Sequence, residues 1–268
     1  MRLWRAHGLG NDYLVLEQGP AMTPELARRL CHRHTGVGGD GVLEPVSSGR
    51  ADYGVRIWNP DGSIAEKSGN GLRILAQWLV DRRRASPTFT VDTGTDVVRC
   101  RVAPEAVEVA MGTARFTAAA VPVVRALVDA PLEVAGRTLS VVAVGVGNPH
   151  CVVFTDDPDA LPWRELGAAL EVHPAFPNRT NVQFARIDGP GRVTIRIWER
   201  GAGETMASGS SSCAVAAAAV HTGRLEAGPV AVHMEGGVLH VVVHADYALD
   251  LVGPVAPVGV VTVDERWV

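Results

Sequence analysis

The chain has 268 residues, enough for one large or two medium domains. Its 47% hydrophobic and 20% charged content suits a globular protein with a substantial core. A net charge of −4 with scattered Lys and Arg gives no footprint for nucleic acid, and the longest apolar helical run, Cys213 to Val220, is far too short to cross a bilayer.

Alternating or β-rich runs predict strands near 2–6, 13–17, 41–46, 52–58, 87–92, 96–102 and 106–111. A second series follows at 139–146, 150–154, 181–187, 192–198, 229–234, 238–243 and 247–251, with a last strand near 258–263. Thr23-Pro24-Glu25 reads as an N-cap, a proline at the first helical position and an early acid, leading a helix to His32. Trp163 to Glu171 reads as a short surface helix. Gly71 to Val80 and Cys213 to Val220 carry almost no polar face, so protein must surround each. Arg82-Arg83-Arg84 falls where the first of these ends and complements the helix dipole. The economical arrangement is an α+β fold of two pseudo-symmetric domains, each a curved, mainly antiparallel sheet wrapped around a central helix. The junction is expected near Ala114 to Pro122, giving domains over 1–116 and 117–253, with the terminal strand 254–268 completing the first.

An internal repeat supports this division. Val55-Arg56-Ile57-Trp58 is followed, ten residues on, by Ser68-Gly69-Asn70-Gly71; Ile195-Arg196-Ile197-Trp198 is followed at the same distance by Ser208-Gly209-Ser210-Ser211. The two frames lie 140 residues apart (Trp58 to Trp198), and Gly10-Asn11 and Gly147-Asn148 repeat in the same order 137 apart (Asn11 to Asn148). Each serine stands where a Gly-rich turn becomes a buried helix, whose free N–H groups and dipole favour a carboxylate. A serine there is commonly just an N-cap, but capping does not explain why Asn59 and the pair Glu199-Arg200 occupy the equivalent preceding turns. One proton-carrying group on each side of a carbon acid, with its carboxylate neutralised by backbone donors, is what stereoinversion requires.

At these residues the sequence resembles the diaminopimelate epimerase family. The likeness rests on His7-Gly8-Leu9-Gly10-Asn11-Asp12-Tyr13, Gly36-Val37-Gly38-Gly39-Asp40-Gly41, Asn59-Pro60-Asp61-Gly62-Ser63 with Ser68-Gly69-Asn70-Gly71-Leu72-Arg73, Gly147-Asn148-Pro149-His150-Cys151, Asn178-Arg179-Thr180-Asn181-Val182 and Trp198 to Thr205. The resemblance implies a cofactor-independent epimerase acting on a small amino acid, with the active site in the cleft between two domains. It implies Ser68, Ser208, His150 and Glu199 as the catalytic set. Asn11, Asn59, Asn148, Asn181, Glu199 and Arg200 would surround the substrate, and Gly69, Asn70, Gly209 and Ser210 would supply N–H groups to its carboxylate. Homodimers occur in the family, and β-rich edges suit pairing, so a homodimer is expected too.

One departure stands out. In the family both proton-transfer residues are cysteines; here both positions are serine. A thiol starts near pKa ~8.5 and is lowered further at a helix N-terminus, whereas an unassisted serine ionises far above the physiological range. A gap of about 5 units makes the base roughly 7 kcal/mol harder to form, about five orders of magnitude in rate. The chain is then a slow or redirected epimerase, a form with both thiols replaced, an isomerase or dehydratase for another small amino or hydroxy acid, or a silent amino-acid-binding homologue.

Other signals are weaker. No signal-peptide core follows Met1, and Cys31, Cys100, Cys151 and Cys213 show neither CxxC spacing nor a disulfide framework, so a reduced cytoplasmic protein is expected. Cys151 and Cys213 read as small buried hydrophobes. His32 and His34 are expected to point apart, and His240 and His244, on one strand face, lack a carboxylate nearby, so no metal is expected. Gly36 to Gly41 lacks the Gly-Lys-Ser/Thr ending of a phosphate loop, and no lysine stands in a pyridoxal-phosphate context.

Overall fold

The computed structural model describes residues 1–267. By internal packing the chain divides into two compact units, residues 1–110 with 253–268, and residues 111–252. In the first unit the strands are β1 (Arg2–Gly8), β2 (Asn11–Gln18), β3 (Gly41–Val46), β4 (Tyr53–Trp58), β5 (Ile64–Ala65), β6 (Thr88–Asp92), β7 (Val97–Val102) and β8 (Val107–Thr113). Its helices are α1 (Pro24–Cys31) and α2 (Gly69–Arg83). The second unit holds β9 (Ala130–Val134), β10 (Arg137–Gly145), β11 (Pro149–Phe154), β12 (Asn181–Gly189), β13 (Arg192–Glu199), β14 (Gly203–Glu204), β15 (Gly228–Met234), β16 (Gly237–Val243) and β17 (Ala248–Gly253). Its helices are α3 (Trp163–Glu171) and α4 (Gly209–His221), and the last strand, β18 (Ala256–Thr262), returns to the first unit.

The duplication is complete at the level of strand pairing. Unit 1 runs β18-β1-β2-β3-β4-β6-β7-β8, antiparallel except for the parallel pairs β2–β3 and β4–β6. Unit 2 runs β9-β10-β11-β12-β13-β15-β16-β17, with the parallel pairs β11–β12 and β13–β15 at the same places. Parallel neighbours need a crossover, and the four helices supply it: α1 and α3 span the first parallel pair of each unit, α2 and α4 the second.

Strand alternation then sorts side chains between two helices. One face of the unit 1 sheet, carrying Leu3, Leu14, Val42 and Trp58, packs on Leu26, Ala27 and Leu30 of α1. The other face wraps α2, which touches β1, β2, β3 and β7. In unit 2, Val141, Cys151, Val153 and Phe184 pack on Trp163, Leu166 and Leu170 of α3, while α4 touches β10, β11, β12, β15 and β16. A sheet that meets one helix from both of its ends is wrapped around it, as the all-apolar helix sequences required.

Both central helices begin earlier than their apolar runs suggested, because each serine is the N-cap and helical geometry starts at Gly69 and Gly209. The arginine run ends α2 as expected, with Arg84 as a left-handed C-cap at φ 55°. Thr23 caps α1 through Leu26 N–H. Three strands were not anticipated: β5 and β14 are two residues long, and β9 carries Pro131, tolerable because β9 is paired on one side, with β10. Leu9 (φ 56°) and Gly10 (φ 92°) form a two-residue loop with both φ positive, the twist-matched turn that folds β1 onto β2. No helix among the described residues is long and apolar enough to cross a membrane.

Candidate active site

Each unit holds one serine-capped helix start. In unit 1, Ser68 Oγ accepts the Gly71 N–H at 3.0 Å and lies 3.0 Å from the Tyr13 hydroxyl. Behind it runs a chain of oriented groups. Arg73, fully buried, donates to Asn70 Oδ1 at 2.6 Å and to the Gly69 carbonyl at 3.4 Å. Asn70 Nδ2 donates to Asn11 Oδ1 at 3.0 Å, and Asn11 Nδ2 donates to Asp40 Oδ2 at 2.8 Å. Arg33 then bridges Asp40 and Asp12 at 2.6 and 2.8 Å. Burial pushes Asp12 up, but hydrogen bonds and charge from Arg33 and Arg5 outweigh it and hold the carboxyl below its usual range. The amides of Asn11 and Asn70 therefore have one orientation each, fixed from an anion at one end and a cation at the other. Gly8 makes room for this: a Cβ there would stand 2.8 Å from Arg73 Nη2. Asn59 sits in the turn after β4, where its Nδ2 donates to Ser63 Oγ at 2.9 Å and Gly62 (φ 84°) donates back to its carbonyl.

In unit 2, Ser208 is 4% exposed and its Oγ accepts the Ser211 N–H at 3.4 Å, with Ser210 Oγ at 3.5 Å. Ser212 Oγ returns a bond to the Ser208 carbonyl at 2.8 Å. Gln183 Nε2 donates to the buried Ser211 Oγ at 2.9 Å. His150, on the same sheet face, pairs through Nε2 with Asn148 Oδ1 at 2.8 Å. Burial pulls the His150 imidazole down to about 3; the Gln183 amide opposes this and the Arg200 charge adds to it. His150 is thus a neutral ring at ordinary pH. Asn181 is occupied with the backbone, donating to the Pro149 carbonyl and accepting the Arg200 N–H, both at 3.0 Å. The Glu199-Arg200 turn is further pinned by Glu171, which accepts from Gly201 N–H at 2.7 Å, Trp198 Nε1 at 2.8 Å and Arg179. Arg200 itself is exposed, with Nη1 on the Asn178 carbonyl at 3.0 Å.

Within each unit, then, the expected residues fall into clusters. Ser68, Gly69, Asn70 and Asn11 are linked, with Asn59 on the neighbouring turn; Asn148 and His150 are linked, as are Asn181 and Arg200, while Ser208 is joined to Ser211 and, through it, to Gln183. Tyr13, Arg73, Asp40, Gln183 and Ser211 join these clusters although they were not among the expected residues. Tyr13 had a signal: the 137-residue offset relating Asn11 to Asn148 also sets Tyr13 against His150, and each faces a parallel partner at the same register, Gly41 and Asn181.

No thiol replaces the missing pair. Cys151 and Cys213 are fully buried, burial pushes the Cys151 thiol up, and Cys31 and Cys100 are pushed up to about 12. Two expectations about histidines need correcting. His32 and His34 do not point apart; their rings meet edge-on at 6.0 Å, because α1 ends at Cys31 and His32 has extended backbone. His244 lies past the end of β16 and has a carboxylate beside it, Asp250, at 2.8 Å. Among the described residues no three His, Cys, Asp or Glu side chains are grouped to hold a metal.

A duplicated sheet, each copy wrapped around a central helix, defines an α+β fold of two like units. Solved structures share it: a phenazine biosynthesis protein of Bacillus anthracis (TM-score 0.71, 16% identity, 98% of this chain and 99% of that one) and a hydroxyproline epimerase of Agrobacterium vitis (TM-score 0.71, 16% identity, 97% and 91%). The sequence narrows the class. The diaminopimelate epimerase family model matches residues 3–117 and 142–255. The chain is 40% identical over 271 residues to the diaminopimelate epimerase of Desulfitobacterium hafniense, covering 96% of this chain and 95% of that one. It is 43% identical over 253 residues to that of Desulforudis audaxviator, covering 89% and 90%. The chain belongs to the diaminopimelate epimerase family.

Proposed function

We propose that this protein epimerises diaminopimelate between its LL and meso forms, with Ser68 and Ser208 moving the α-proton at opposite faces of one carbon and no cofactor. The observation that carries the reading is the pair of serine-capped helix starts at equivalent positions in two copies of one topology, within a chain of this family. The N–H groups of Gly69, Asn70, Gly209 and Ser210 offset carboxylate charge as the carbanion forms. Glu199 and Arg200 suit the zwitterionic end of the substrate, a fork of guanidinium N–H groups matching a carboxylate. Neutral His150 serves as a hydrogen-bonding partner rather than a charged acid.

Serine at both family thiol positions favours a second reading, an altered or silent relative. Incubation with each diaminopimelate stereoisomer in deuterated water separates them. Exchange at the α-carbon with appearance of the other isomer supports the epimerase, double-bond formation indicates a dehydratase, and calorimetric binding without exchange indicates a silent binder. The reading includes a homodimer, supported by the exposed Val258 and Val260 on the terminal strand β18, which sedimentation tests. Four free, buried cysteines suit a reducing cytoplasm.

A further inference from the structure

We propose that the Tyr13 hydroxyl stands behind Ser68 as its proton acceptor, the two forming a relay in which Ser68 meets the substrate and Tyr13 receives the serine proton. This rests on the epimerase reading above and assigns a positioning residue that reading does not contain.

The geometry is specific. A serine hydroxyl has one hydrogen and two lone pairs. At Ser68 one lone pair takes the Gly71 N–H at 3.0 Å. The Tyr13 oxygen, also at 3.0 Å, lies where the serine hydrogen can be directed. The second lone pair is then left for the substrate proton. Tyr13 reaches this position because residue 41 has no side chain: a Cβ on Gly41 would fall 2.5 Å from Tyr13 Cε1. Tyr13 is 7% exposed, so the phenol acts through Ser68 rather than in open solvent.

On the sheet face shared with Tyr13, β1, β3 and β4 present Ala6, Gly41, Leu43 and Ile57. Charged groups on that face include Arg73 on α2, tied to Asn70 and Gly69, and Glu17 farther along β2, tied to Arg2 and Arg82. Asp12 projects to the opposite face, with Arg5 and Arg33.

The chemistry addresses the missing thiol. A phenol gives up its proton near pH ~10, far more readily than an aliphatic alcohol. In the forward step the α C–H bond breaks and its proton passes to Ser68 Oγ. The Ser68 hydroxyl proton passes to the Tyr13 phenolate, and the C–H electron pair stays on the carbon, delocalised into the carboxylate. The products are a neutral tyrosine, a neutral serine and the carbanion, which is reprotonated from the opposite face; in the reverse reaction Ser68 delivers the proton and the same path restores the phenolate.

The test uses the full chain and both diaminopimelate stereoisomers in deuterated water. Tyr13→Phe should lower kcat by about 10²–10⁴-fold, leave KM within about threefold, and abolish the rise in rate toward alkaline pH, with an unchanged denaturation midpoint. In a Ser68→Cys background, where the thiolate is itself the base, the same change should alter kcat less than about threefold. A Tyr13→Phe protein that keeps both kcat and the alkaline rise overturns the relay, as does an equal loss in the Ser68→Cys background, which would mark a packing role. A parent protein that exchanges neither stereoisomer overturns the epimerase reading and the relay with it. The two failures are distinct, because the tyrosine arms are compared only with an active parent.

Discussion

The first turn of α2 and the first turn of α4 occupy the same place in the same topology, yet they are supported in different ways. Under Ser68 lies an ionic chain, Arg73–Asn70–Asn11–Asp40–Arg33, with a phenol against the serine oxygen. Under Ser208 lies a neutral one, in which Ser211, Gln183, His150 and Asn148 carry no charge at ordinary pH. The position that is Arg73 in the first helix is Cys213 in the second, 140 residues on as for the serines. Duplication preserved the helix start and its dipole while the electrostatics diverged. The two hydroxyls are therefore not interchangeable: a buried guanidinium reinforces the positive end of α2, whereas α4 offers its backbone alone.

Several experiments press on that asymmetry. The largest effect is expected from restoring thiols. Ser68→Cys with Ser208→Cys should raise α-proton exchange by about 10³–10⁵-fold, the gap between a thiol and an alcohol as base. Ser208→Cys should give the greater single gain, since Ser208 has no phenol behind it. Unchanged rates in the double variant would show that the serines are not the proton-transfer groups.

Next comes acid. His150 titrates at about 3 when folded and near 6.5 when free. Below about pH 6.5 the unfolded chain binds a proton that the folded one refuses, so this contribution to stability is full above that pH and falls as pH drops toward about 3. Urea unfolding at pH 7 and pH 4 should show His150→Gln losing on the order of 3 kcal/mol less than the parent over that interval. Tyr13→Phe, at the matching position of unit 1, should leave the acid slope alone. An identical slope in His150→Gln would mean that the ring is not held neutral.

A smaller difference separates the two supports. Arg73→Met strands the buried Asn70 Oδ1 and should cost about 2–3 kcal/mol in chemical denaturation, against about 1 kcal/mol for Cys213→Ala, which removes one sulfur from a packed helix. Equally small, Ser68→Ala and Ser208→Ala should each cost about 1 kcal/mol as lost caps. Ser68→Ala should cost the more, its capping bond being 3.0 Å against 3.4 Å.

Most of the fold was legible because local signals agreed. Thr23-Pro24 marked the start of α1 and is its cap; the apolar sweep of Cys213 to Val220 required a helix enclosed by sheet, and α4 is buried along most of its length. What escaped was set by partners far away in sequence. Pro131 lies within β9, where only the one-sided pairing with β10 makes a proline tolerable. At the candidate site, the capping serines could be read from their glycine-rich turns. Tyr13 was marked only by its 137-residue offset from His150; within Asp12-Tyr13-Leu14-Val15 it looks like one more core residue, and its hydroxyl gains meaning only when Ser68 arrives from 55 residues away. Gln183 was hidden likewise inside a strand, with its partner Ser211 on α4.

The return of β18 to the edge of β1 has a consequence for how the polypeptide matures. Arg2 faces Thr262 and His7 faces Ala256 across that ladder, and Met1 exchanges backbone bonds with Val263. Residues 111–252 form an uninterrupted stretch that can collapse as soon as it leaves the ribosome, whereas the half translated first keeps a bare flank until the final strand emerges. A premature stop only a dozen codons from the end would therefore injure the amino-terminal half and spare its neighbour.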